Sequence, residues 1–274
     1  MISRVWSFTG GSVRHLERLV RADGAWSLRL LPARFAIIEH SSGIIVFDTG
    51  FHPSLRERLG GVAKAYNRVV PWRCPPEQAV GARLRSLGFD PDDVQLLVLS
   101  HMHADHVSGW VDLQNCPLAL TRKAWQHLQS GGRIERGRHG YFRELLPSSL
   151  PAHTRWLDPP EPGLDLEASC EDLLGDGSIG VVALPGHAPG QVGLVLRPPS
   201  GPNILLAADA TFSRDAVKAG VAPSRAFMRS VFDDVPATLA TLDRIRAWMT
   251  HDPNLVLHCA HGWEGPQEGL LYES

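Results

Sequence analysis

Directly after the apolar run Val94–Ser100, the chain reads Ser100-His-Met-His-Ala-Asp-His106. His101 and His103 are one residue apart, so in an extended chain they point to the same side. Asp105 and His106 follow where the chain must turn, ahead of Val107, Ser108 and Gly109. Crowding four such side chains behind a buried strand is unfavourable unless a cation holds them together. Neutral imidazole and carboxylate are natural ligands for zinc, manganese or iron. The alternative is a solvated His-rich loop, which an apolar strand leading straight into the motif argues against. A closed structural zinc site would normally include cysteine, and none falls here.

Three later residues offer the same chemistry, each just beyond a strand-like run: His187 after Ile179–Leu184, Asp209 ending NILLAAD, and His261 beyond LVLHCA. Polar groups at strand ends sit on a rigid base, which is where sheet enzymes place reactive side chains. The remaining patterning supports an α/β layout. Phe35–Glu39 and Ile44–Asp48 flank His40–Gly43 as a β-hairpin, and Val94–Ser100 reads as a strand buried on both faces. The stretch PSLRERLGG starts helix-like and breaks at Gly60 and Gly61. PPEQAVGARLRSLGF predicts a helix from Pro75 or Pro76 to Gly88, and TRKAWQHLQS one capped by Thr121. VPATLATLDRIRAWMT is the clearest helix, with Leu239, Leu242, Ile245 and Trp248 on its apolar side. The segment 131–174 is irregular, with a short helix expected at GYFRELL, and reads as a lid, an insertion or part of a dimer interface. The whole of 1–274 is taken as one domain.

Composition narrows the function classes. Lys+Arg 27 against Asp+Glu 29 leaves a net charge of -2, so no basic excess drives binding to nucleic acid or a membrane surface. No stretch approaches the roughly 20 apolar residues of a membrane span, and the N-terminus lacks the apolar core of a secretion signal. Cys74, Cys116, Cys170 and Cys259 form no CxxC pair, a usage that suits a reducing compartment. These features predict a cytoplasmic protein acting on a small molecule, with no nucleic-acid or membrane partner, and with a homodimer among the assemblies to expect.

The set FDTG ending at Gly50, HxHxDH at 101–106, PGHAPGQ around His187, AAD at Asp209 and a terminal strand followed by His resembles the metallo-β-lactamase-fold hydrolases. The similarity runs from about Phe35 through His261. It implies an α/β four-layer αβ/βα sandwich with a metal site at one edge of two sheets. It further implies a first ion held by His101, His103 and His187, a second held by Asp105, His106 and His261, and Asp209 bridging both. Zn2+ is the first expectation for the two divalent ions, with Mn2+, Co2+ or Fe2+ as alternatives. For the final ligand, His261 in CAHG fits the family pattern better than His258. Asp48 resembles a support residue orienting a ligand, although a turn residue before Gly50 is an equal reading. Two such ions share a water and lower its pKa towards neutrality, so the bridging hydroxide can attack a carbonyl or phosphoryl centre. Asp105 can serve as the catalytic proton carrier.

Within that superfamily the chain resembles the N-acyl homoserine lactone lactonases, through GGSV, IIVFDTGFHP, TRKAWQHL and PGHAPGQVGLVL followed by DATF. That implies hydrolytic opening of a lactone bearing an acyl chain. One departure stands out: those lactonases carry Tyr three positions after the bridging Asp, and here Phe212 has no hydroxyl. Metal alone then handles the carbonyl, or a group such as Tyr141 substitutes, or the substrate differs. Phe51, Tyr66, Trp72 and Trp110 are candidates for an apolar pocket, although core packing is the commoner role of such aromatics. Arg133, Arg136, Arg138 and Tyr141 mark the irregular segment.

The rival reading is a glyoxalase-II-like thioesterase, or another ester or phosphotriester metallohydrolase of the same fold. A helical C-terminal extension would favour the thioesterase, and this chain stops soon after His261. The complete ligand set argues against a mononuclear-iron oxygenase and a non-catalytic binding module. His103, where an acidic ligand would be expected, argues against a flavodiiron oxidoreductase.

Overall fold

In the computed structural model, residues 1–130, 137, 139–147, 149–150, 152, 154–264 and 268–274 are described. The first sheet takes, in chain order, β1 (Ile2–Leu16), β2 (Leu28–His40), β3 (Gly43–Phe47), β4 (Trp72–Arg73), β5 (Val94–Val98), β6 (Leu118–Thr121) and β7 (Arg155–Leu157). The second takes β8 (Cys170–Asp172), β9 (Ile179–Ala183), β10 (Val192–Leu196), β11 (Ile204–Leu206) and β12 (Val256–His258), and β13 (Gly269–Glu273) returns to the first. Strand order is β13-β1-β2-β3-β5-β6-β7, with β4 on β1, and β12-β11-β10-β9-β8 in the second sheet. The expected hairpin is the antiparallel pair β2–β3, whereas β3, β5, β6 and β7 run parallel.

Side-chain alternation explains the layering. In β2, Ala33, Phe35 and Ile37 pack with Leu55, Leu84 and Leu128 of the outer helices. Ala36 and Ile38 instead meet Val181, Leu194 and Leu206 of the second sheet. The far face of that sheet, at Val182, Val195 and Leu205, is covered by Leu242, Ile245 and Trp248 of the helix Val235–His251. The order is helix, sheet, sheet, helix: an α/β sandwich of four layers. Each large apolar side chain so buried contributes roughly 1.5–3 kcal/mol. β5 meets apolar neighbours on both faces, Leu97 on one and Val98 on the other, as its unbroken run predicted.

Several expectations need correction. The stretch broken at Gly60 and Gly61 is two helices, Leu55–Leu59 and Gly61–Val69, with Gly60 at φ 54° between them. The proline-led helix begins as a 3-10 turn at Pro76–Gln78 and becomes α-helical over Val80–Ser86. In the helix Val235–His251, Leu239 is 38% exposed. Thr238 and Thr241 occupy the buried side in its place, Thr241 donating to the Pro185 carbonyl at 2.7 Å. The segment 131–174, read as irregular, supplies β7 to one sheet and β8 to the other. Its GYFRELL helix is a 3-10 turn at Arg143–Leu145. Arg133, Arg136 and Arg138 lie outside the described residues. The long β1 went unread, since its polar alternation is interrupted at Gly10 and Gly11. Among the described residues no helix is long and apolar enough to cross a membrane.

Candidate metal centre

Every candidate ligand hangs from the C-terminal end of a strand or from the turn just beyond it. His101 follows β5, and His103 opens the short helix Ala104–Val107 that carries Asp105 and His106. His187 follows β9, Asp209 follows β11, and His261 follows β12. Local backbone is specialised for this. At Gly186, φ is 133°, and an added Cβ would lie 2.3 Å from the Thr238 nitrogen, so only glycine lets the chain bend against the helix before His187. Among the described residues the non-glycine positions with positive φ are Asp48 (60°) and Ala208 (46°). Both border the site, where strained backbone is characteristically found.

Two groups of buried ligand atoms result: His101, His103, His187 and Asp209, and Asp105, His106, Asp209 and His261. Within each, one ligand atom per residue lies within 4.8 Å of the others. His103 Nδ1 is 2.9 Å from both His101 Nε2 and His187 Nε2. Asp209 reaches both groups, with Oδ2 at 3.3 Å from His187 Nε2 and 3.2 Å from His261 Nε2. Asp105 Oδ2 is 3.0 Å from His261 Nε2. His258 turns away, to Ser7 Oγ at 2.7 Å.

Outward-facing contacts fix the rings. Asp48 Oδ2 accepts from His106 Nδ1 at 2.8 Å and from Ser100 Oγ at 2.7 Å, while its Oδ1 accepts the Ser100 backbone N–H at 2.8 Å. His261 Nδ1 donates to the Pro32 carbonyl at 2.6 Å. Both contacts leave Nε2 aimed inward, towards the carboxylates. Asp48 therefore holds the His106 ring and the Ser100 backbone besides standing at the turn before Gly50. Asp48→Asn should weaken metal retention about 10- to 100-fold, measured by titration against a competing chelator; unchanged affinity would remove this role.

Charge and chemistry fit a metal pair. Burial pushes His101 and His103 well below the ordinary imidazole range and His187 down to about 4, leaving three neutral rings as donors. Burial acts the same way on His106 and His261, but the Asp209 carboxylate with its neighbours outweighs it. His106 is held well above its usual range and His261 up at about 10. Conversely, burial would raise Asp105, yet His106 and His261 hold it at about 2. A field that traps protons this firmly is one a divalent ion exploits by displacing them. His106 Nε2 lies 3.3 Å from Asp209 Oδ1 in a buried ion pair.

Above the ligands opens a cavity of about 360 Å³, with Asp105, Asp209 and His261 among the residues at its base. Phe212 lines it, its ring 5.4 Å from that of His261. Three other pocket expectations fail. Phe51 is fully buried in the core, stacked on Trp72 at 5.4 Å. Trp110 packs against the same core. Tyr141 stands behind His103, ring to ring at 4.4 Å, and its hydroxyl donates to Asp233 Oδ2 at 3.0 Å, so it offers no phenol to the cavity. Sequence reasoning missed the apolar wall formed by Leu19, Val20, Leu31, Phe227 and Val231. Those residues come from β2, from the short helix Glu17–Val20 that follows β1 and from the helix Arg225–Val231, and only folding brings them together.

Residues 30–247 match the metallo-beta-lactamase superfamily. The chain belongs to that superfamily. It is 27% identical over 245 residues to the N-acyl homoserine lactonase AttM of Rhizobium radiobacter, covering 85% of this chain and 84% of the relative. A solved N-acyl homoserine lactone hydrolase, with N-hexanoyl-L-homoserine bound at its catalytic metal centre, superposes with TM-score 0.74 at 19% identity, over 96% of this chain and 95% of that one. AidC, a dizinc quorum-quenching lactonase, superposes with TM-score 0.63 at 15% identity, over 98% and 94%. By this kinship the chain is a metal-dependent hydrolase.

Proposed function

We propose that this superfamily member hydrolyses N-acyl homoserine lactones, a quorum-quenching activity, using two zinc ions. The observation that carries this reading is the pair of ligand sets sharing Asp209 at the base of an apolar cavity. His101, His103 and His187 would hold one ion, Asp105, His106 and His261 the other, and Asp209 both. Bound there, such a pair would supply Lewis acidity for activating water and polarising an ester carbonyl. The all-nitrogen-and-oxygen donor set suits zinc, in keeping with the dizinc relative.

The chain's own residues supply the rest. Asp105 borders both His261 and the cavity, so its carboxylate is placed to accept a proton and return it to the departing ring oxygen. Leu19, Val20, Leu31, Phe227 and Val231 offer an acyl chain a dry wall, as expected of a pocket lined mostly by hydrophobic groups. The four cysteines are free thiols, in keeping with a cytoplasmic setting.

A pH-stat screen of acyl homoserine lactones against thioesters and aryl esters, with zinc-, manganese- and cobalt-reconstituted protein, tests the reading. Lactones should be turned over with the highest kcat/KM. A thioester preference would overturn the lactone assignment and leave the metal centre standing.

A further inference from the structure

One phenol at the cavity wall has no assigned work. Tyr66 comes from the helix Gly61–Val69, and its ring stands edge-on to Phe142 at 4.9 Å and 78°. Its hydroxyl lies against Gly140: a Cβ added there would sit 3.3 Å from the Tyr66 oxygen and 3.7 Å from His103 Cδ2. Gly140 is itself tied to the ligand-bearing turn, its carbonyl accepting the Ala104 N–H at 3.0 Å. The phenol is thus braced beside the first ligand set, and no group among the described residues takes its hydrogen bond. A tyrosine hydroxyl in so enclosed a place ordinarily finds a partner. Burial, together with Asp105 and Asp209, drives its pKa well above the usual phenol range, which favours the protonated, hydrogen-bond-donating form. Phe212, which lines the same cavity, has nothing to donate.

An ester attacked at this site builds negative charge on its carbonyl oxygen, and a fixed donor aimed at that oxygen stabilises the charge where it develops. We propose that the Tyr66 hydroxyl donates a hydrogen bond to the substrate's carbonyl oxygen and to the oxyanion formed from it. The proton stays on Tyr66 throughout, and no bond to the side chain is made. This rests on the reading of the site as an ester-opening centre, and it makes Tyr66 a catalytic residue supplied from a different element than Phe212.

Zinc-loaded wild type, Tyr66→Phe and Tyr66→Phe/Phe212→Tyr are compared on N-hexanoyl homoserine lactone and on an aryl ester, with zinc per chain measured for each. Tyr66→Phe should lower kcat roughly 10²-fold, with KM within about twofold and zinc content unchanged. Recovery of kcat in the double variant supports the proposal, because it returns a phenol to the same cavity from a different element. Unchanged kcat overturns it, as does a rise in KM alone, which would make Tyr66 a plain wall residue. Loss of zinc in Tyr66→Phe also overturns it, by assigning the side chain to the scaffold. Should wild type turn over the aryl ester and no lactone, the lactone reading fails, while the Tyr66 comparison is still decided on the aryl ester.

Discussion

Asp209→Ala is expected to abolish hydrolysis, lowering kcat by about 10³-fold or more, and to reduce bound metal from two ions per chain to one or none. The magnitude follows from its double membership: its carboxylate is the element common to both ligand sets, within 3.3 Å of His187 and His261. Removing one preorganised electrostatic contact at a reacting centre costs 10²–10³-fold, and this change removes the anchor of two cations. Asp105→Ala makes the comparison, since Asp105 belongs to one set and should leave the other ion bound. Elemental analysis beside steady-state kinetics reads both effects. Two ions retained by Asp209→Ala at near wild-type kcat would contradict the shared-ligand arrangement.

Stripping the metal should have the next largest effect, on stability as well as on rate. Without cations, Asp105, Asp209, His106 and His261 must balance one another's charge in a buried site. Even one ion present at 100 times its Kd stabilises the native state by about 2.7 kcal/mol. For a chain of this size that corresponds to a melting temperature roughly 5–10 °C higher. Exhaustive chelation should therefore lower the transition by about that amount and remove lactone hydrolysis, and added zinc should restore both. Full activity with under about a tenth of an ion per chain would exclude a metal mechanism.

Both expectations trace to features of different legibility. HxHxDH was readable because its ligands are sequence neighbours, and His187, Asp209 and His261 because each closes an apolar strand. Asp48 stayed ambiguous in sequence, since a carboxylate before Thr49-Gly50 serves a turn equally well; its bonds to Ser100 and His106 appear only in the folded chain. The aromatic candidates divided for a similar reason. Phe51 and Trp110 are near the motif along the chain but face the core, whereas Tyr66 and Phe227 reach the cavity from other elements.

The sequence by itself determined the metal-binding chemistry and the layered α/β architecture, because strand periodicity and short-range ligand spacing are local properties of the chain. Tertiary structure alone decided what Asp48 touches and which side chains wall the cavity. Those outcomes depend on how strand ends from two separate sheets converge, and that convergence is set by packing between residues as far apart as Pro32 and His261.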